Sequence, residues 1–346
     1  MPRRRRGAGG RVVSGDGRPW TRRRSAGVSV GETKDEAGGL RIGFHAPADL
    51  ERVTALEALS IDSLWVGGHV ASPNPTSEAM TSLARLSAVT RRVTIGTSIL
   101  LLPLYTPTIV AKQVAELDRA TGGRVVLGVG IGGEYPAEFS ACQVPLRERG
   151  RRTNEAIGLL RRLWTGEPVT HDGPFYPMEN VRIHPAPARP GGPPIVVAGR
   201  QEAAMRRAAL LGDGWMPYLY SPRRYAASVA TIRELAADAG RDLTGFDWYA
   251  FVFVNVDPDG DAAREGAARM LGGTYRQDFR AMVDSVAAAG TPAEVTAKLR
   301  AFVDAGARHF IFLPAPGPDG DPDPVIQRLL ADIVPSLRDY ARATRT

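Results

Sequence analysis

Cysteine is almost absent from this sequence, since Cys142 is the single one among 346 residues. A lone cysteine excludes an intramolecular disulfide framework and any cysteine-rich metal site. The five histidines have no third ligand at helical or short spacing, so we expect no bound metal ion. A reducing compartment suits such a chain, and we expect the protein to be cytoplasmic.

Long apolar runs are also missing from the chain. No stretch approaches the roughly 20 apolar residues that a membrane-spanning helix requires, so we expect no membrane partner. The hydrophobic content of 43% over 346 residues is nevertheless enough to bury a large core. Such a core belongs either to one barrel-sized domain or to two smaller ones.

The excess of basic residues is confined to the N-terminal segment. The net charge is +7, but residues 1–39 contain 10 Lys and Arg against 4 Asp and Glu, and the rest contains 34 against 33. This Arg-, Gly- and Ser-rich tail has too little apolar surface to fold, so we predict that it is disordered. Two explanations of this basic tail are open: the start site is assigned too far upstream, or the tail is a functional arm. Because the basicity belongs to a tail, we expect no nucleic-acid partner.

From residue 40 onwards the sequence alternates between predicted strands and predicted helices. The eight predicted strands are Leu40–Phe44, Ser63–Gly67, Val93–Leu100, Arg124–Val129, Pro194–Gly199, Gly214–Tyr218, Phe246–Val256 and Arg308–Leu313. Eight such units predict an α/β fold, a (β/α)8 TIM barrel, as a single domain over residues 40–346. A proline-rich insertion with a hairpin-like start, residues 171–194, separates strands 4 and 5. The competing interpretation is a doubly wound sheet with a second domain.

The fourth predicted strand runs into a glycine-rich stretch, Gly128–Gly133, that matches the G-x-G-x-x-G pattern. In a dinucleotide-binding fold this pattern opens a helix directly. Here Pro136 follows, and we predict the next helix only from about Leu146. In a barrel, Gly130, Gly132 and Gly133 would instead let the backbone approach a ligand, or they would simply form a turn.

A second candidate site follows the fifth predicted strand at Ala198, Gly199 and Arg200. A helix that starts directly after the strand presents unpaired backbone N–H groups, and an arginine adds donors for an anion. The simpler alternative is a short turn with a surface arginine.

Three titratable side chains are expected at the same rim, where parallel strands end. His45 and His69 follow strands 1 and 2, and Glu134 follows strand 4. A histidine or glutamate in that position can exchange a proton with a substrate, although a lone histidine is more often structural. The apolar exit of strand 3, from Thr97 through Ser98 and Ile99, is either core or a platform under a flat ligand.

Taken in order, several segments resemble the luciferase-like monooxygenase superfamily, and within it the bacterial flavin- or deazaflavin-dependent oxidoreductases. The segments are Arg92–Ile99, Gly123–Arg124, Leu127–Gly130, Glu134–Phe139, Arg149–Arg152, Glu155, Leu163–Gly166, Gly199–Arg200 and Leu211–Trp215. The resemblance extends over about residues 40–338. It implies a (β/α)8 barrel with a planar tricyclic cofactor across the C-terminal mouth.

The resemblance also implies roles for the candidate residues. A non-prolyl cis peptide, here Ser98–Ile99, would support the cofactor ring, and the phosphate would lie between Gly130–Gly133 and Ala198–Arg200. His69 would face the reacting carbon. Related dehydrogenases often have an acidic residue directly before this histidine, but this chain has Gly68, which puts an acid–histidine dyad and a sugar-phosphate role in doubt.

These implications lead to a functional hypothesis with alternatives. We expect an oxidoreductase that transfers hydride between coenzyme F420 and a small organic substrate, with Glu134 near the position of a family proton donor. The first alternative is an FMN-dependent monooxygenase, whose water-poor pocket would be formed by Leu100–Leu102 and Trp215. The second is a barrel that binds a flavin or another ligand without turnover. The family commonly forms homodimers, so we expect one here.

Overall fold

The computed structural model describes residues 39–318 and 320–344. The predicted disordered tail, residues 1–39, lies outside the described residues except for Gly39, and its predicted disorder stays a prediction. No helix within the described ranges is long and apolar enough to cross a membrane.

Strands and helices alternate through the described chain. The strands are β1 Arg41–His45, β2 Ser63–Val66, β3 Thr94–Thr97, β4 Leu100–Leu101, β5 Val125–Gly130, β6 Val169–His171, β7 Met178–Val181, β8 Ile195–Ala198, β9 Gly214–Met216, β10 Asp247–Val256, β11 Ala287–Gly290 and β12 His309–Pro314. The helices are α1 Leu50–Glu57, α2 Ala79–Val89, α3 Pro107–Thr121, α4 Pro136–Ala141, α5 Arg149–Leu163, α6 Glu202–Leu211, α7 Pro222–Asp238, α8 Gly260–Tyr275, α9 Val283–Val286, α10 Pro292–Asp304, α11 Asp323–Arg328 and α12 Val334–Ala343. Short 3-10 turns cover Leu102–Leu104 and Leu146–Glu148, and a π-helical turn covers Leu329–Ile333.

The parallel strands close into a barrel. The order runs β1–β2–β3–β5–β8–β9–β10–β12 and returns to β1, while β4 continues the line of β3 along β5. Taking β3 and β4 as one interrupted strand, the eight predicted barrel strands are all present, and the predicted (β/α)8 barrel is confirmed.

The barrel forms because its strands are apolar on both faces. Every residue of β2, β5, β8 and β9 is buried, as expected for parallel strands with helices outside and side chains inside. The inner layer is a separate apolar cluster of Trp65, Val126, Val196, Ala198, Met216, Tyr249 and Ile311. The interior of the barrel is therefore filled by side chains.

Three local features of the structure were not predicted from the sequence. A short helix, α4, begins at Pro136, ahead of the predicted start near Leu146, because proline suits the first helical position. The N-cap of α2 is Glu78, whose carboxylate accepts from two N–H groups of the first turn. Strand β11 was not predicted, because its alanine-rich sequence favours a helix and only the long β10 provides an edge for it.

The proline-rich insertion forms the hairpin that the sequence indicates. Strands β6 and β7 pair antiparallel, and Glu155 of α5 holds the turn by accepting from Tyr176 N at 2.9 Å and pairing with His171 Nε2 at 3.1 Å. The insertion is thereby fastened to the outside of the barrel.

Candidate functional site

A cavity of about 460 Å³ opens at the C-terminal mouth of the barrel. Gly130, Ala198 and Met216, the last residues of β5, β8 and β9, all line it. The lining residues are Gly68, His69, Ser98, Ile99, Leu101, Gly130–Glu134, Arg149, Ala198–Gln201, Ala203, Ala204, Met216, Tyr218, Phe251 and Tyr275. Ten of the twelve residues that the sequence identifies as site candidates are in this set. Thr97 and His45 are not among the described lining residues.

The floor of the cavity is built where β3 breaks. The Ser98–Ile99 peptide is cis, as the resemblance implies, and both residues line the cavity. Thr97 is buried beneath them, and its hydroxyl donates to Gly128 O at 2.7 Å. A Cβ on Gly128 would lie 1.9 Å from Thr97 O, and one on Gly130 would lie 1.9 Å from Ile99 Cδ1. The glycines of the G-x-G-x-x-G stretch therefore let β5 pack against this floor.

The next part of the glycine stretch meets an arginine that we did not predict as a site residue. Gly133 has a φ of 119°, which disfavours a side chain, and a Cβ there would lie 3.2 Å from Arg149 Nε. Arg149 lines the cavity, yet its buried Nε has no hydrogen-bond partner among the described residues. A buried guanidinium N–H without a partner, beside a glycine loop, fits an anionic ligand group.

The start of α6 faces the same cavity. Gly199 has a φ of 139°, and Gln201, the N-cap, makes no capping hydrogen bond through its side chain to the described chain. Gln201, Ala203 and Ala204 all line the cavity, so N–H groups of the first helical turn are available to an anion. Arg200 instead lies over the Tyr218 ring, 4.6 Å from its centroid.

His69 pairs with a carboxylate from the segment after β5. Its Nδ1 lies 3.2 Å from Glu138 Oε1, and Val70 N donates to Glu138 Oε2 at 3.3 Å. The Glu138 side chain is fully buried, whereas that of His69 is 20% exposed towards the cavity. Tyr135 packs edge-on against the imidazole at 4.8 Å. An acid–histidine pair is therefore present, with Glu138 rather than residue 68 providing the carboxylate.

Glu134 lies at the cavity edge and is held by a tyrosine. Tyr218 donates its hydroxyl proton to Glu134 Oε1 at 2.8 Å. Burial, and secondly the charge of Glu134, raise the pKa of Tyr218 to about 12, so Tyr218 remains a donor at neutral pH. Leu219 follows with a φ of 53°, a left-handed conformation that is uncommon for a leucine and that occurs here directly at the strand exit.

His45 is the last residue of β1, as the sequence indicates, but it is not among the described residues that line the main cavity. It lines a small separate cavity of about 40 Å³ together with Ala46, Val66 and Arg85. Its ring packs edge-on against Phe251 at 6.5 Å. Burial lowers the pKa of His45 to about 4, against a weaker opposing effect of the Ala46 backbone hydrogen bond. His45 is thus a neutral packing residue at neutral pH.

The structure shows which of the expected apolar residues line the cavity. Of Leu100–Leu102, Leu101 lines the cavity, while Leu100 and Leu102 are fully buried. Trp215 is also fully buried and donates to Gly199 O at 3.0 Å, so it supports the wall from behind. The side chain that β9 gives to the cavity is Met216.

The family model described as luciferase-like monooxygenase matches residues 26–309. An uncharacterized protein of Mycobacterium tuberculosis is 37% identical over 167 residues, which are 48% of this chain and 57% of that protein. The chain thus spans little more than half the length of that relative. An F420-dependent glucose-6-phosphate dehydrogenase of Gordonia bronchialis is 29% identical, with 86% of this chain and 98% of that protein covered.

Solved structures with the same fold include both dehydrogenases and monooxygenases. An F420-dependent secondary alcohol dehydrogenase in complex with an F420–acetone adduct has a TM-score of 0.77 at 23% identity, covering 87% of this chain and all (100%) of that one. A monooxygenase from Streptomyces bottropensis has a TM-score of 0.71 at 25% identity, covering 86% and 99%. The chain belongs to the luciferase-like monooxygenase family, and its matched relatives include an F420-dependent dehydrogenase and a monooxygenase.

Proposed function

We propose that this protein is an F420-dependent oxidoreductase that acts on a small organic substrate. The observation that carries the proposal is the His69–Glu138 pair, because a histidine oriented by a buried carboxylate at a cavity edge is suited to proton transfer. The similarity to F420-dependent dehydrogenases over 86% of the chain supports the choice of cofactor.

The cavity fits a cofactor with a flat ring and a phosphate. The cis Ser98–Ile99 floor and Gly130, which has no side chain, form a surface on which a ring can lie. Gly133, the unpartnered Arg149 Nε and the start of α6 provide donors for a phosphate. Among these groups Arg149 replaces Arg200 as the main cationic ligand, because Arg200 is held over Tyr218.

His69 and Glu138 have different roles in the transfer of the substrate's proton. When bound, F420 supplies the acceptor or donor of a hydride. Glu138 accepts from His69 Nδ1–H, which leaves Nε2 as the basic nitrogen that can take a hydroxyl proton or return it. Because Glu138 is buried, this orientation is fixed before the substrate arrives.

An FMN-dependent monooxygenase is the second candidate, and one observation favours it. Ile99, Leu101, Ile131 and Met216 give the cavity an apolar surface that would keep water from reduced flavin. Both candidates use a small-molecule substrate. Homodimer formation and a cytoplasmic location stay predictions.

The test is a titration of the purified full-length protein with F420 and with FMN, followed by fluorescence. We expect F420 to bind with a micromolar or lower Kd and FMN to bind at least about tenfold more weakly, a difference of about 1.4 kcal/mol. Preferential binding of FMN would replace the first proposal by the second. Binding of F420 to a protein that shows no turnover with any alcohol or carbonyl compound would favour the non-catalytic barrel.

A further inference from the structure

The hydrogen bond between His69 and Glu138 leaves the tilt of the imidazole ring undetermined. His69 lies in the loop after β2, and its Nδ1 is shared by both Glu138 oxygens at 3.2 and 3.3 Å. These distances are at the long end of the N–H···O range. The outer torsion of a histidine side chain is also broad, so the ring can tilt while the bond persists. The plane of the ring must therefore be set by a further contact.

Tyr135 makes such a contact with the imidazole. Its ring packs edge-on against His69, with ring centroids 4.8 Å apart and an interplanar angle of 69°. An edge-to-face pair is favourable only over a limited range of orientations, because the ring faces and edges carry opposite partial charges. The Tyr135 hydroxyl makes no hydrogen bond to the described residues, so the contact with His69 depends on the ring alone.

Tyr135 and Glu138 approach His69 from the same turn of α4. Tyr135 is the N-cap of this helix, with a φ of −120° and a ψ of 91°. The following Pro136 restricts it to such an extended conformation. Glu138 N donates to Tyr135 O at 3.1 Å, which closes the turn between them. The spacing of the two contacts on His69 is thus fixed by the backbone of the turn.

The helix that carries both residues is anchored by an apolar side chain. Phe139 is only 1% exposed and lies against the glycine loop and β4, since a Cβ added to Gly132 would lie 3.3 Å from Phe139 Cζ and 3.2 Å from Leu101 Cδ2. At the end of the helix, Val144 N donates to Phe139 O at 2.9 Å. Tyr135 is therefore held against His69 by a packed helix.

We propose that Tyr135 is a positioning residue that sets the plane of the His69 imidazole. The inference deepens the proposed function, and it rests on that function for the proton transfer itself. Tyr135 is not among the described residues that line the cavity, so it acts through His69. Proton transfer requires Nε2 of His69 within hydrogen-bond reach of the substrate, and a small error in its position lowers the rate strongly.

Two substitutions separate the ring of Tyr135 from its hydroxyl. Tyr135→Leu keeps an apolar side chain but removes the ring, and we expect kcat to fall about tenfold while the Kd for F420 stays within about twofold. Tyr135→Phe keeps the ring and should have the kcat of the unaltered protein. Steady-state kinetics use F420 and the alcohol or carbonyl compound that the unaltered protein turns over. An unchanged kcat in Tyr135→Leu, or an equal loss in both variants, contradicts the proposal.

A second measurement detects the position of the ring without turnover. Carbon-13 relaxation of the His69 imidazole in the full-length, cofactor-free protein reports ring mobility, with the signal assigned by its loss in His69→Gln. We expect a rigid ring in the unaltered protein and in Tyr135→Phe, and a mobile ring in Tyr135→Leu. Equal mobility in all three proteins overturns the proposal. The expected mobilities without F420 binding would remove the proposed function but support the positioning of His69 by Tyr135.

Discussion

Glu138 Oε1 lies 3.2 Å from His69 Nδ1, with the carboxylate fully buried and the imidazole at the edge of the cavity. The two residues are 69 positions apart in the chain. They meet because β2 and the segment after β5 both end at the same mouth of the barrel. Their pairing gives the cavity a residue that can exchange a proton in a fixed orientation.

Removing the charge of Glu138 tests the pair. Glu138→Gln should lower kcat/KM about 100-fold, because the amide lacks the negative charge that stabilises a protonated His69 and can turn its NH2 instead of its oxygen towards Nδ1. The Kd for F420 should stay within about twofold, since Glu138 is not among the described cavity-lining residues. Steady-state kinetics and the cofactor titration give both numbers. Glu116→Gln on the exposed face of α3 is the matched control, and a variant at Glu138 with normal kcat/KM would rule out the pairing as functional.

The role of Arg149 as an anion ligand predicts a cofactor effect. Arg149→Met keeps much of the side-chain volume but removes the charged donors, so the Kd for F420 should rise about tenfold or more. Arg147→Met, an exposed neighbour in the same segment, should leave the Kd unchanged. Fluorescence titration of both variants measures the effect. A normal Kd for Arg149→Met would mean that the phosphate lies elsewhere.

The floor of the cavity predicts a stability effect at Gly128. An added Cβ would lie 1.9 Å from the Thr97 carbonyl oxygen, so Gly128→Ala forces β3 and β5 apart. We expect the free energy of unfolding to fall by about 2 kcal/mol or more in urea denaturation. Gly158→Ala in α5 is the control, because a Cβ there meets no atom within 4 Å and the change should stabilise the helix by about 0.5–1 kcal/mol. Similar effects of the two substitutions would contradict the packing argument.

Burial of His45 predicts a pH dependence of stability. Because its pKa is lowered from 6.5 to about 4, the unfolded chain binds a proton more tightly than the folded chain does. The contribution of neutral His45 to the free energy of unfolding is therefore fully present above pH 6.5. It is lost as the pH falls from 6.5 towards 4. The glutamine side chain of the His45→Gln variant does not titrate. The free energy of unfolding of this variant, relative to that of the unaltered protein, should therefore rise by about 2 kcal/mol from pH 7 to pH 4.5.

Urea unfolding of both proteins at the two pH values measures this difference. A constant difference between the variant and the unaltered protein would show that His45 keeps its ordinary pKa. His309 is a second buried histidine whose pKa burial lowers well below its usual value, and His309 should add to the acid sensitivity of both proteins equally.

Much of the fold follows from the sequence because its signals are local. Each barrel strand is a short apolar run between turn residues, and the eight predicted strands match eight parallel barrel positions. One strand was missed, because local signals do not indicate it. Ala287–Gly290 has the composition of a helix, yet it pairs as a strand with β10, because the hydrogen bonds of an available edge outweigh a weak preference.

The sequence by itself determined the barrel, the position of the mouth and ten of the cavity-lining residues, because strand periodicity and the common direction of parallel strands fix where strand ends lie. Only the tertiary structure decided which side chains meet there. It paired His69 with Glu138, placed Arg149 behind Gly133 and moved His45 out of the main cavity. These contacts depend on the paths of loops and a short helix, and neither periodicity nor spacing along the chain encodes such paths.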